Sequence, residues 1–333
     1  MNESKSRAGV SRLLARPGIG ALAGTLLVWI FFAVMAGEPF WGGQGAAAYL
    51  DAAAALGILA VAVALLMIGG EFDLSVGSII GFAGMALLLL TQRFAWPLWP
   101  AIGATIVLSA AIGFFNGWLV VRTGLPSFLV TLGTLFVFRG LTIGIARGLT
   151  GRTQVGGLDE IEGYDVARRI FASDLGGFDV AIAWWIGMVL VATWVLYRTR
   201  TGNWIFAAGG APAAARSQGV PVARIKIALF VTTALAACLV AILQAVRFTG
   251  TDALRGELQE FRAIAAAVIG GTLLTGGHGS AIGAALGALI FGMVQQGIVI
   301  VGVDADWFQV FLGGVLLAAV VFNDWVRRRA LTA

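Results

Sequence analysis

The sequence predicts an all-α, polytopic membrane protein, and three observations predict it. Hydrophobic residues make up 59% of the chain and charged residues only 12%, about half the ~25% charge of a soluble domain. Mean hydropathy is +0.93. The apolar residues also gather into long runs, and a helix needs about 20 such residues to cross a bilayer. This balance excludes an ordinary cytosolic enzyme and a disordered chain. It excludes nucleic acid as a partner too, because the 22 Lys and Arg behind a pI near 10.1 are scattered between apolar runs and make no basic face. Cys238 is the only cysteine and His278 the only histidine, so there is no disulfide framework and little scope for His-based metal or acid–base chemistry.

In chain order the runs predict helices near 19–36, 51–68, 78–91, 98–121, 127–147, 180–197, 226–246, 263–275, 280–301 and 307–323, about ten spans. The first run follows basic residues, as a signal peptide does. Its apolar core of about 18 residues exceeds the usual 7–15 of such a segment, so it is read as an uncleaved span. The runs at 78–91 and 263–275 are short: they are tilted, extended through flanking glycines, or broken at membrane depth inside the protein. Alternating the sides from an internal N-terminus puts Lys5, Arg7, Arg12, Arg16, Arg122, Arg198, Arg200, Arg216, Arg224, Lys226, Arg327, Arg328 and Arg329 inside. Arg93, Arg147, Arg152, Arg168, Arg169, Arg247, Arg255 and Arg262 fall outside. The excess of basic residues inside predicts N-in, C-in.

Two loops are long: an external one at 148–179 and an internal one at 198–225. In the second, Gly209-Gly210 precede an Ala-rich stretch with Pro212 suited to a first helical turn. Gly219 and Pro221 then end it, so the loop carries a short helix. The pairs Gly69-Gly70 and Gly276-Gly277 each separate two apolar runs and lead into glycine-punctuated helices, a weak internal repeat.

The stretch GGEFDLSVGS, Gly69 to Ser78, sets Glu71 and Asp73 between two spans. Carboxylates there are expensive if buried and cheap if the loop reaches cytoplasmic water. Asp73 or Ser75, ahead of Gly77, is also placed to cap the helix that follows. The string resembles the GGIDLSVGS segment in permease subunits of ribose-type sugar ABC importers. Four more stretches agree with that family in order and spacing: LPSFLVTLGTLFVFRGL (125–141), RTGNWIFAAGGAPAAARSQGVPVARIKI (200–227), EFRAIAAAVIGGTLLTGGHGS (260–280) and GALIFGMVQQGIVIVGV (287–303). The resemblance spans residues 50–324 and points to the family more strongly than to a particular sugar.

The resemblance implies one permease domain over 19–324 in a bacterial inner membrane, with cytoplasmic tails at 1–18 and 325–333. It implies that Gly209, Gly210, Pro212, Ala213, Ala214, Arg216 and Gly219 belong to a coupling segment docked on a separate ATPase subunit, and that two copies form a lipid-embedded homodimer. An extracytoplasmic binding protein would deliver a ribose- or xylose-like monosaccharide. ATP and Mg²⁺ would sit on the ATPase, with no cofactor, metal or catalytic residue on this chain, which has no GxxxxGK[ST] loop. Branched-chain amino acid, nucleoside and polyol importers remain alternatives. An ion-coupled transporter is disfavoured because none of the 17 acids falls clearly mid-span.

Two departures from the family pattern stand out. Pro212-Ala213-Ala214 replaces Glu-Ala-Ala, and Glu260-Phe261-Arg262 replaces Glu-Leu-Asp. Arg262 either retunes docking of the binding protein or pairs with Glu257 or Glu260. Among the polar side chains within spans are Asn116, Thr131, Thr134, Gln244, Thr272, Gln295 and Gln296. Each lines the path or hydrogen-bonds between helices, an interaction of roughly 0.6–2 kcal/mol. Arg139, near the outer end of its span, snorkels to the interface or pairs with a neighbouring span. His278 is a turn residue.

Overall fold

A computed structural model describes residues 19–304, 306–311, 313, 314 and 317. The tails at 1–18 and 325–333 lie outside the described residues, as does most of the expected span at 307–323, of which 307–311 is helical. The elements run α1 (Ile19–Ala36), α2 (Glu38–Trp41), α3 (Gly43–Ile68), α4 (Val76–Gln92), α5 (Leu98–Thr123), α6 (Ser127–Thr150), β1 (Gln154–Gly156), α7 (Tyr164–Phe171), α8 (Val180–Arg198), α9 (Arg200–Gly210), α10 (Pro212–Ser217), α11 (Val222–Arg247), β2 (Gly250–Asp252), α12 (Gln259–Ile269) and α13 (Ala281–Ile300). Among the described residues six helices, α3, α5, α6, α8, α11 and α13, are long and apolar enough to cross a membrane, with α1 and α4 as shorter apolar helices. The strands, antiparallel with Val155 opposite Thr251, add a small β element to a fold the sequence presented as all-α.

Prolines open these helices and glycines close them. Pro97, Pro126 and Pro221 stand immediately before α5, α6 and α11, where a missing N–H leaves nothing unsatisfied. Gly124 and Gly151 follow α5 and α6 with φ of 69° and 71°, the left-handed conformation that ends helices.

Helix α3 is the axis of the molecule. From Leu56 to Ile68 it is buried on every side, as expected for a helix that is apolar all round, and it packs on α13, α8, α11 and α12. Small residues set the spacing. Gly113 and Gly117, four apart on α5, lie so close to the α11 backbone that a Cβ on either would stand 2.8 Å from Val231 Cα or Ile227 Cα, a small-xxx-small contact. Helices α1, α5, α6 and α8 keep apolar faces uncovered, with Leu27, Val107, Phe136 and Leu190 among the exposed side chains.

Two stretches of backbone are non-helical inside the bundle. After α3 ends, residues 69–75 climb along α11. Glu71 pairs with Lys226 and Asp73 bonds Thr233, seven residues further on and so about 10 Å higher. Helix α4 therefore begins inside the bundle. From the opposite end residues 251–258 descend along α4 into the start of α12, with Thr251 at Gly84, Ala253 at Gly81, and Gly256 with Glu260 at Gly77. Such backbone is tolerated at membrane depth only where protein encloses it, and the glycine face of α4 encloses it here. The short run at 263–275 is thus a broken helix: α12 starts at Gln259 beside Gly77 and stops at Gly270. A Cβ at Gly81 would stand 2.8 Å from Ala253 O and 3.0 Å from Arg255 O. Gly81→Val is expected to cost at least about 1–3 kcal/mol through overpacking. Gly103→Ala, which meets nothing within 4 Å, should be neutral or stabilising by a few tenths. Thermal unfolding in detergent reads both, and equal melting temperatures would refute the descent of 251–258 along this face.

Candidate functional site

The segment 69–75 is a polar knot. Asp73, fully buried, accepts from Ser75 N at 2.9 Å, Ser75 Oγ at 2.6 Å and Thr233 Oγ1 at 2.7 Å. Asn116 Nδ2 of α5 donates to Ser75 Oγ at 2.9 Å, while Asn116 Oδ1 is buried with no partner. From α6, Ser127 Oγ and Thr131 Oγ1 each accept a segment N–H, of Phe72 and Leu74, at 3.0 Å. Three helices thereby hold one loop. Of the two alternatives for Asp73, the structure takes the buried one. The expected cap is absent: no side-chain cap bond opens α4, because the Asp73 carboxylate turns onto the Ser75 N–H.

Below the knot, three glycine pairs meet. Gly70, with φ of 81°, packs on Gly209. Gly277 N donates to Ile68 O at 2.8 Å, and a Cβ at Gly276 would stand 2.8 Å from Gly70 Cα. A Cβ at Gly209 would overlap Ile68 O and stand 2.8 Å from Gly277 N and 2.9 Å from Gly70 N. The loop at 198–225 thus touches both halves of the suspected repeat. Its Pro212–Ser217 helix forms as expected, with Pro212, Ala213, Ala214 and Arg216 in it, and Gly219 turns the chain at φ of 82°. Helix α9, ending in Gly210, is additional. Thr199 caps it by accepting from Gly202 N at 3.2 Å, a signal available in Thr199-x-x-Gly202. Gly69 packs against Leu229. His278 is exposed in the turn before α13.

At the opposite, β-strand end, Arg247 Nη1 bridges Asp51 Oδ1 at 2.6 Å and Asp179 Oδ2 at 2.7 Å, tying α11 to α3 and to the start of α8. This triad borders two cavities of about 400 and 340 Å³. Tyr164 lines the first and donates to Val246 O at 2.8 Å; burial pushes its phenol above the ordinary tyrosine value. Gln244 and Gln295 line the second, together with Arg255, Arg262 and Phe308.

The expected path residues therefore divide. Asn116 and Thr131 belong to the knot, and Gln244 and Gln295 to the β-end cavity. Thr134 Oγ1 bonds back to Thr131 O at 3.2 Å, and Thr272 is buried past the end of α12 with its hydroxyl unpartnered. Arg139 does not snorkel. Helix α6 runs on to Thr150, which leaves Arg139 mid-helix, pairing with Glu257 at 3.6 Å and Glu260 at 3.8 Å. Those carboxylates are thereby committed, so Arg262 pairs with neither and stacks on Phe308 at 5.4 Å. Glu260 is buried beside Gly77, so the argument from an absence of acids inside the bundle does not hold.

The architecture is that of a helical membrane protein with non-helical segments inside the bundle and a loop helix seated on both glycine turns. The family described as "Branched-chain amino acid transport system / permease component" matches residues 45–320. The xylose transport system permease protein of Escherichia coli (strain K12) is 31% identical over 93% of this chain and 92% of its own. The autoinducer 2 import system permease protein of Klebsiella pneumoniae is 34% identical over 82% of each chain. The xylose/arabinose import permease protein of Sulfolobus acidocaldarius is 33% identical over 83% of this chain and 76% of its own. No solved structure matches. The chain belongs to the permease family of sugar ABC importers and is a multi-pass inner-membrane protein.

Proposed function

We propose that this permease carries a monosaccharide of the xylose or ribose type, received from an extracytoplasmic binding protein and moved by a separate ATPase subunit that holds the ATP and Mg²⁺. The reading takes a single permease domain over 19–324 with about ten spans, both tails cytoplasmic, and a second copy completing the path. The observation that carries it is the seat of Gly209 against both Gly70 and Gly277. A loop that only joined two spans would have no reason to be wedged between two other turns. A loop that transmits force would.

In this reading the glycine end is cytoplasmic, and α9–α10 is the coupling segment. Arg216, whose Nε donates to Pro212 O at 3.3 Å, sits in the helix without the acid of the family pattern. The β-strand end is external and receives the solute. Sugar is favoured over the amino-acid alternative because the similar permeases named above serve xylose, xylose/arabinose or autoinducer 2 systems. Family membership, rather than the distribution of acids, favours ATP over an ion gradient.

Tagged purification from the native host in mild detergent is expected to recover an ATPase, and replacing 209–219 by a flexible linker to lose it. Uptake driven by an ion gradient without ATP would overturn the reading.

A further inference from the structure

The β-end cavity contains charge that the protein itself does not neutralise. Five charged side chains line it: Asp51, Asp179, Arg247, Arg255 and Arg262. Both carboxylates are engaged by Arg247. Among the described residues Arg255 and Arg262 form no ion pair. Arg255 lies over Phe248 at 4.9 Å with its Nε buried and unpartnered, and Arg262 lies over Phe308 at 5.4 Å. Both side chains are partly buried; a guanidinium partly withdrawn from water without a counter-ion carries a cost, and a phenyl face offsets it only in part. Arg262 also stands where the family pattern carries an acid, so the cavity has gained positive charge at that position.

The remaining lining suits a hydroxylated ring. Gln244, Gln259 and Gln295 present amides, and Gln244 Oε1 is buried without a partner. At about 340 Å³ the cavity lies within the range of small-molecule sites, roughly 300–1,000 Å³. We propose that it is a binding site for a sugar acid. Arg255 and Arg262 take the carboxylate, for which the planar guanidinium fork is well matched, and the glutamine amides take the hydroxyls. The proposal rests on the importer reading and narrows its solute.

The test is calorimetry on the full chain in lipid nanodiscs with D-glucuronate and D-xylose. Glucuronate is expected to bind with salt-sensitive affinity at least about tenfold tighter than xylose. Arg262→Gln and Arg255→Gln should each weaken glucuronate by roughly tenfold or more, with partial recovery in Arg262→Lys and no change in Arg93→Gln. Gel filtration and circular dichroism check folding. Should both glutamine variants fail to fold, the wild-type preference alone decides. Equal affinity for the two sugars, or a folded Arg262→Gln that keeps wild-type glucuronate affinity, overturns the proposal. ATP-driven uptake in proteoliposomes that also contain the co-purified ATPase and binding protein separates the failures. Xylose transport without glucuronate binding leaves the importer reading standing and removes only the sugar acid, whereas no ATP-driven movement of either sugar removes both.

Discussion

Gly209→Val is expected to reduce ATP-driven uptake more than about tenfold while the chain still inserts in the membrane. The new Cβ would occupy the position of Ile68 O and crowd the amides of Gly277 and Gly70. All three neighbours are backbone, and two are joined by the Gly277 N to Ile68 O bond, so none can retreat as a flexible side chain would. Helix α9 must lift instead. Overpacking of this kind costs about 1–3 kcal/mol where the surroundings can adjust; against rigid backbone the easier response is to break the contact. Losing it separates the loop from both turns at once, which is why the effect on transport should exceed the effect on stability. Two neighbouring positions calibrate the result. A Cβ at Gly210 would meet only Gly277 Cα at 3.6 Å, so Gly210→Ala should transport normally. Gly219→Ala has open space and incurs only the left-handed backbone term, about 1–2 kcal/mol. Uptake by Gly209→Val equal to wild type would mean that the seat of α9 is passive.

Six of the expected spans, the short helix at Pro212 and the turn at Gly219 were legible in the sequence because each depends on neighbours in the chain: apolar runs, a proline that starts a helix, a glycine that stops one. The α9 cap at Thr199 was legible in principle and was obscured by the polar Arg198–Asn203 stretch around it. What local signals could not reveal were pairings across the fold. Arg139 looks like an interfacial residue until residues 251–260 bring Glu257 and Glu260 down beside it. Arg247, Asp51 and Asp179 lie on three different helices or their approaches, at no informative spacing. The depth of Asp73 stayed open in the sequence for the same reason. A polar decapeptide between apolar runs has the composition of a solvated loop, and only the partners on α5, α6 and α11 turn it inward.

Asp73→Ala is expected to destabilise the protein by about 3–5 kcal/mol, whereas Asp73→Asn should stay within about 1 kcal/mol of wild type. Alanine leaves the buried Ser75 N–H and Ser75 Oγ without the acceptor they now share, and each orphaned buried group costs about 1–3 kcal/mol. Thr233 is partly spared, because its hydroxyl also lies 2.9 Å from Phe230 O. Asparagine satisfies the same geometry. Its Oδ1 accepts from Ser75 as before, and its Nδ2 donates to Thr233 Oγ1, whose own proton turns to Phe230 O. The exchange also removes a buried negative charge. Among the described residues that charge has no ion-pair partner, and an unpaired buried ion is itself unfavourable. Thermal unfolding of both variants in detergent should place the alanine chain roughly 3–7 °C below the asparagine chain. An equal fall in both would mean that the negative charge of Asp73, rather than its hydrogen-bond geometry, holds the 69–75 segment at that depth.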